Sequence, residues 1–121
     1  MGDNQKNILI VEDEKPLAHA LELKLQHEGF VVTVASNGQE CLDLLESQQF
    51  DVLLLDLIMP VLDGFQVLEH LQQKPTKPAI FVLSNLSQHE DEERALHLGA
   101  RKFFIKSDTP LTTIVDEVKK V

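Results

Sequence analysis

Residues 52–64 read VLLLDLIMPVLDG, an apolar run that meets Asp56 before a Met59-Pro60 pair interrupts the backbone. Val52, Leu53, Leu54 and Leu55 offer no polar face, the pattern of a strand covered on both sides, as in a parallel sheet. An acid where such a strand emerges stands on the carboxyl edge, and open α/β sheets place their ligands along that edge. Asp56 is therefore read as a carboxylate used in chemistry.

The same alternation extends to both sides of this stretch. Ile8 to Val11 reads as a first buried strand and ends on Glu12-Asp13-Glu14. Pro16 suits a first helical turn, and Leu17, Leu21 and Leu25 recur every four residues to about Glu28, with Gly29 as the stop. Phe30 to Ala35 gives a second strand. Asn37 and Glu40 have capping spacing for a helix to about Ser47, with Cys41, Leu42, Leu44 and Leu45 as its buried face. After the Asp56 strand, Asp63 caps a helix carrying Phe65, Val67, Leu68 and Leu71, and Pro75 and Pro78 bracket a turn. Ala79 to Leu83 forms the fourth strand, ending on Ser84-Asn85. Ser87 and Glu90 form a capping pair, with Glu90 to Glu93 favouring a helix start. Gly99 closes that helix, Lys102 to Ile105 makes a fifth strand ending on Lys106, and Pro110 opens a last helix to Lys120. Strands alternating with helices predict right-handed βαβ crossovers and a doubly wound α/β sheet of flavodoxin-like order 2-1-3-4-5. No glycine-rich turn follows the first strand, which argues against a dinucleotide-binding arrangement; three acids stand there instead.

Composition narrows the function. A chain of 121 residues is expected to form one domain, with its core over about 6–121 and no output domain following the last helix. With 43% hydrophobic residues and no tryptophan or tyrosine, its core must be aliphatic. A formal charge of -9 disfavours direct binding to a phosphate backbone and suits basic protein faces and divalent cations. The single cysteine, Cys41, cannot form an internal disulfide and reads as a small buried hydrophobe. The N-terminal residues lack the apolar core of a secretory leader and no apolar run approaches the ~20 residues of a membrane span, so neither a leader nor a span is expected. Lys6 occupies the position where myristoylation after Met1-Gly2 wants Ser or Thr. A cytoplasmic location is expected.

In the 2-1-3-4-5 order, strands one and three lie about 4.8 Å apart, which crowds Glu12, Asp13 and Asp56 on one edge. Two carboxylates ~5 Å apart repel by about 3 kcal/mol at an effective dielectric near 20, a cost the fold alone does not require. A cation relieves it. An oxygen-only donor set with no nearby histidine or cysteine selects magnesium, manganese or calcium over zinc, and magnesium is expected, with manganese as a substitute. Lys106, at the end of strand five, can lean across strand four toward Asp56, with Ser84 between them. Such a group can transfer and hold a phosphoryl group: Asp56 attacks phosphorus, Lys106 and the cation neutralise charge, and Ser84 donates a hydrogen bond.

At these residues the chain resembles the receiver domains of two-component response regulators. The resemblance rests on the acidic pair Glu12-Asp13, the stretch DLIMPVLDG beginning at Asp56, then Ser84 and Lys106, in order and with the family's spacing over essentially the whole chain. It implies that a sensor histidine kinase or phosphotransfer protein phosphorylates Asp56. It implies further that Asp13, Asp56 and the Ile58 carbonyl hold magnesium, with Glu12 acting through water. Phe103 would turn inward behind Ser84 as the switch aromatic, repacking the face of helix four, strand five and helix five. The expected oligomeric state is a monomer or a weak phosphorylation-linked dimer, the sole chemistry is the domain's own phosphorylation and dephosphorylation, and the downstream target stays open.

The chain departs from that family pattern at a few positions. Ser107 stands where a proline usually follows the lysine, so a trans bond and a different loop path are expected, since a non-proline cis bond costs about 2.5–4 kcal/mol. Asn85 replaces a small residue at the entry to the site. Ile58 and Leu86 are apolar where relatives tune the access of hydrolytic water, which predicts a long-lived acyl phosphate. The alternatives are a phosphorylation-independent interaction module and an aspartyl-phosphate hydrolase; the hydrolase usually has a second aspartate at the position of Ile58. Glu14 reads as solvated or capping, and Asp51 and Asp63 as structural. The dispersed histidines 19, 27, 70, 89 and 97 are read as neither ligands nor catalysts.

Overall fold

The computed structural model describes residues 5–85 and 89–121. Its elements in chain order are β1 (Asn7–Val11), α1 (Lys15–His27), β2 (Val31–Ala35), α2 (Gly38–Ser47), β3 (Val52–Asp56), α3 (Gly64–Leu71), β4 (Ala79–Ser84), α4 (His89–His97), β5 (Lys102–Ile105) and α5 (Leu111–Lys119). A 3-10 turn over Lys106–Asp108 links the last two. All strand pairs are parallel, in the order β2-β1-β3-β4-β5. This is the flavodoxin-like arrangement expected from the alternation.

β3 lies at the centre of this sheet. Its residues Val52, Leu53, Leu54 and Leu55 are fully buried because side chains alternate between two covered faces. Leu53 and Leu55 join Cys41 of α2, Phe65 and Leu68 of α3 and Ala95 of α4. Val52 and Leu54 join Leu21 and Leu25 of α1 and Ile114 and Val118 of α5. α4 is fastened to α3 from outside as well: the Arg94 guanidinium lies 4.1 Å from the Phe65 ring centroid and 3.3 Å from Glu69.

Local chemistry sets the ends. The Asn37 side chain accepts the Glu40 N–H at 2.9 Å, while the Glu40 carboxylate reaches back to the Ser36 N–H rather than to Asn37. Asp63 and Gln66 form the full reciprocal capping box of α3. Gly29 and Gly99 take φ of +97° and +114°, and each ends a helix as expected. Asp51 is structural: its carboxylate accepts the Asn7 N–H at 2.8 Å, tying β1 to the start of β3.

Several boundaries move by a residue or two. β1 begins at Asn7, β2 at Val31, and β4 extends to Ser84, which pairs with Ile105. Pro110 caps α5 instead of opening it. Of the expected buried face of α2, Cys41 is fully buried, whereas Leu42, Leu44 and Leu45 are partly covered. Burial pushes the Cys41 thiol up to about 12, consistent with an inert core position. The Ser87–Glu90 capping pair lies outside the described residues.

Candidate functional site

The site is assembled by strand register. Val11 is opposite Leu55, Asp56 opposite Leu83, and Ser84 opposite Ile105, so Glu12, Asp56, Ser84 and Lys106 follow one another across the carboxyl edge. Closing the loop behind Asp56 needs the glycine of the Asp63-Gly64 pair. A Cβ on Gly64 would lie 2.4 Å from the Asp56 carbonyl oxygen, and the Gly64 N–H donates to the Leu57 carbonyl at 2.9 Å. The intervening turn is strained: the Leu62 N–H donates to the Pro60 carbonyl across Val61, whose φ is +72°. A β-branched side chain rarely adopts that value.

Lys106 reaches the site as expected. Its Nζ donates to Asp56 Oδ2 at 3.0 Å and to Glu12 Oε2 at 2.9 Å. Nζ also lies 2.8 Å from Glu12 Oε1, but off the hydrogen-bonding direction, and this buried oxygen has no hydrogen-bond partner among the described residues. Asp56 Oδ1 accepts the Ile58 N–H at 3.2 Å. The chain contains no cis peptide among its described residues, so the Lys106–Ser107 bond is trans, and the backbone turns into the 3-10 segment directly at Lys106.

Glu12 and Asp56 are nearly inaccessible, and this governs their electrostatics. Burial raises the Glu12 carboxyl to about 7, against the pull of Lys106 and the Glu14 N–H and with help from the Asp56 charge. Burial likewise raises Asp56, although Lys106 and the Ile58 N–H favour its charged form. Burial also works against the Lys106 ammonium, but the carboxylates of Glu12, Asp56 and Glu14 together outweigh it and hold its pKa above the ordinary lysine value. Carboxylate oxygens of Glu12, Asp13 and Asp56 lie within 4.8 Å of one another. Three clustered carboxylates, one oxygen lacking a hydrogen bond, and no nitrogen or sulfur donor in the group fit a hard divalent cation.

The remaining expected residues fall into three groups. Ser84 is fully buried at the end of β4, beside Asp56. Phe103 is half-buried against the core shared by α2, α3 and α4, while Phe104 is buried on the opposite face. Ile58 and Asn85 are exposed at the rim, and Leu86 lies outside the described residues. One reading is refined. The Glu14 side chain is solvent-exposed but is not a side-chain cap: its Oε2 lies 3.1 Å from Lys106 Nζ, and no side-chain cap bond forms at the start of α1. The run of three acids before Lys15 signalled a cluster, but where the third would aim depended on a lysine 92 residues away.

Among known proteins, this chain is 37% identical to the response regulator ArlR of Staphylococcus epidermidis over 100 residues, covering 83% of this chain and 45% of ArlR. It is 35% identical to the cell cycle response regulator CtrA of Brucella ovis over 99 residues, or 82% of this chain and 43% of CtrA. The chain thus spans less than half the length of these relatives. Among solved structures, the Francisella response regulator 1452 receiver domain superposes with a TM-score of 0.90 at 27% identity, over 96% of this chain and 95% of that one. TrrA of Thermotoga maritima, in complex with Mg(2+)-BeF, superposes at 0.83 with 29% identity, over 96% and 98%. The sequence pattern described as the response regulator receiver domain matches residues 8–118, from the first strand well into the last helix. On that extent, the chain belongs to the response regulator receiver domain family.

Proposed function

We propose that this domain is a phosphorylation-dependent switch that accepts a phosphoryl group on Asp56. The observation that carries this reading is the contact between Asp56 Oδ2 and Lys106 Nζ at 3.0 Å, within a group of carboxylates that fits a divalent cation. The donor is a sensor histidine kinase or phosphotransfer protein. As an oxygen of Asp56 bonds to phosphorus, the phosphorus–nitrogen bond of the donor's phosphohistidine breaks and its electron pair stays on the imidazole.

Asp13, Asp56 and the Ile58 carbonyl would hold Mg2+, with Mn2+ as a substitute and Glu12 acting through water. When bound, the cation neutralises charge on the transferring group and on the carboxylates around it. Lys106 supplies a second positive charge, and Ser84 donates a hydrogen bond to a phosphoryl oxygen. The Ile58 N–H donates to Asp56 Oδ1 and restrains its orientation. A modest local gain at Ser84 then favours an inward Phe103 and a changed face of α4, β5 and α5. The exposed, apolar Ile58 offers no acid to activate water, which separates this site from an aspartyl-phosphate hydrolase. The formal net charge of -9 suits a protein partner over nucleic acid, and this reading places the domain in the cytoplasm.

Beryllofluoride, which mimics a carboxyl-bound phosphoryl group, tests the reading. With Mg2+ it should raise the thermal midpoint of the protein and leave Asp56→Asn unmoved. An equal rise in both proteins would contradict the assignment of Asp56.

A further inference from the structure

We infer that Glu14 is a positioning residue for Lys106, holding the ammonium over Asp56 when a cation occupies the acidic cluster. Three carboxylates surround Nζ: Glu12, Asp56 and Glu14, at 2.8–2.9, 3.0 and 3.1 Å. The first two belong, with Asp13, to the group able to hold a metal; Glu14 does not. Were Glu12 and Asp56 engaged by a cation held with Asp13, Glu14 would be the one of the three carboxylates outside that group and still free to partner Lys106.

The backbone leaves Lys106 in need of such a partner. β5 ends at Ile105, and Lys106 enters the 3-10 turn at once. Its four-carbon stem is flexible, so the aim of Nζ is set by what the ammonium touches. Glu14 is placed to act. It stands at the N-cap of α1 with an extended backbone, its side chain makes no cap bond, and its own N–H donates to Glu12 Oε2 at 3.0 Å. It therefore fixes both ends of the Glu12–Lys106 contact. Its side chain remains 55% exposed, so it steadies the ammonium from the solvent side without closing the site.

The part of this inference that concerns the aim of Lys106 stands on geometry; its effect on phosphoryl transfer rests on the proposed function. Two readouts separate them. In protein labelled with 15N-lysine, the Nζ signal of Lys106, assigned by its loss in Lys106→Arg, should exchange with solvent about two- to fivefold faster in Glu14→Ala, the range an exposed ion pair spans. Glu14→Gln, whose amide oxygen can still accept but carries no charge, should fall between the parent and Glu14→Ala. Mg2+-dependent phosphorylation by phosphoramidate should slow in Glu14→Ala by a similar factor, with Mg2+ affinity unchanged. An unaltered Lys106 signal in Glu14→Ala overturns the inference, as does faster phosphorylation in either variant, which would make Glu14 a competitor for the ammonium. If the signal changes but the parent accepts no phosphoryl group, the positioning contact stands and the phosphoryl reading falls.

Discussion

Val52 to Leu55 and Asp56 are consecutive residues of one strand, and all are nearly inaccessible to solvent, yet burial acts on them in opposite directions. The aliphatic body gains from leaving water. The acidic end loses hydration and faces Glu12 and Asp13. Lys106 offsets part of that cost, while Glu12 Oε1 keeps no hydrogen bond among the described residues. The interior of the sheet thus stabilises the fold, and its carboxyl edge spends part of that stability to keep a charged group ready. Under the proposed function, a cation or phosphoryl group that satisfied the edge would also relieve part of that cost.

The largest expected effect lies in the body. Leu54→Ala should destabilise the protein by about 2–5 kcal/mol in urea unfolding, and a loss below 1 kcal/mol would remove the contrast from the interior side.

Glu12→Gln should do the reverse. The native Glu12 pKa is about 7 against an ordinary 4.5, so the folded state keeps a proton that the unfolded chain releases between those values. Stability from this group is full below pH 4.5 and is lost as pH rises toward 7. Without divalent cations, the variant should therefore match the parent near pH 4 and exceed it above pH 7, by about 1–3 kcal/mol, the scale of relieving a buried unsatisfied polar group. A parent more stable than the variant at pH 8 would mean that Lys106 fully satisfies the edge.

Smaller again is the strain in the loop behind Asp56. Val61→Asn should raise stability by about 1 kcal/mol, since Asn tolerates positive φ and Val61 is 76% exposed, with little packing to lose. Ile58→Asn should leave stability nearly unchanged and shorten the lifetime of the acyl phosphate severalfold by opening a polar route for water; an unchanged lifetime would deny the apolar rim its protective role.

Much of this architecture was legible in the sequence because it rests on short-range rules. Unbroken apolar runs marked buried strands, Asp63 and the Asn37–Glu40 spacing marked helix starts, and an acid or lysine at or just after the end of β1, β3 and β5 marked the site edge. The contribution of Glu14 was hidden, since a glutamate at an N-cap position can turn to its own helix, to water or to a distant lysine, and only the tertiary arrangement decides. The positive φ of Val61 was equally hidden, because a β-branched residue argues locally against it. Val61 sits in the loop that brings Gly64 back against the Asp56 backbone, a closeness between two ends of a loop that no local pattern announces.

If the strained, charged edge receives a phosphoryl group at Asp56, intact mass after incubation with acetyl phosphate, with and without Mg2+, should reveal it when gentle acidic handling preserves the acyl phosphate. The expected result is the gain of one phosphoryl group that requires Mg2+ and disappears in Asp56→Asn. A folded, Mg2+-binding protein that gains no mass, or one that gains it equally in Asp56→Asn, would contradict a phosphoryl-accepting role for Asp56.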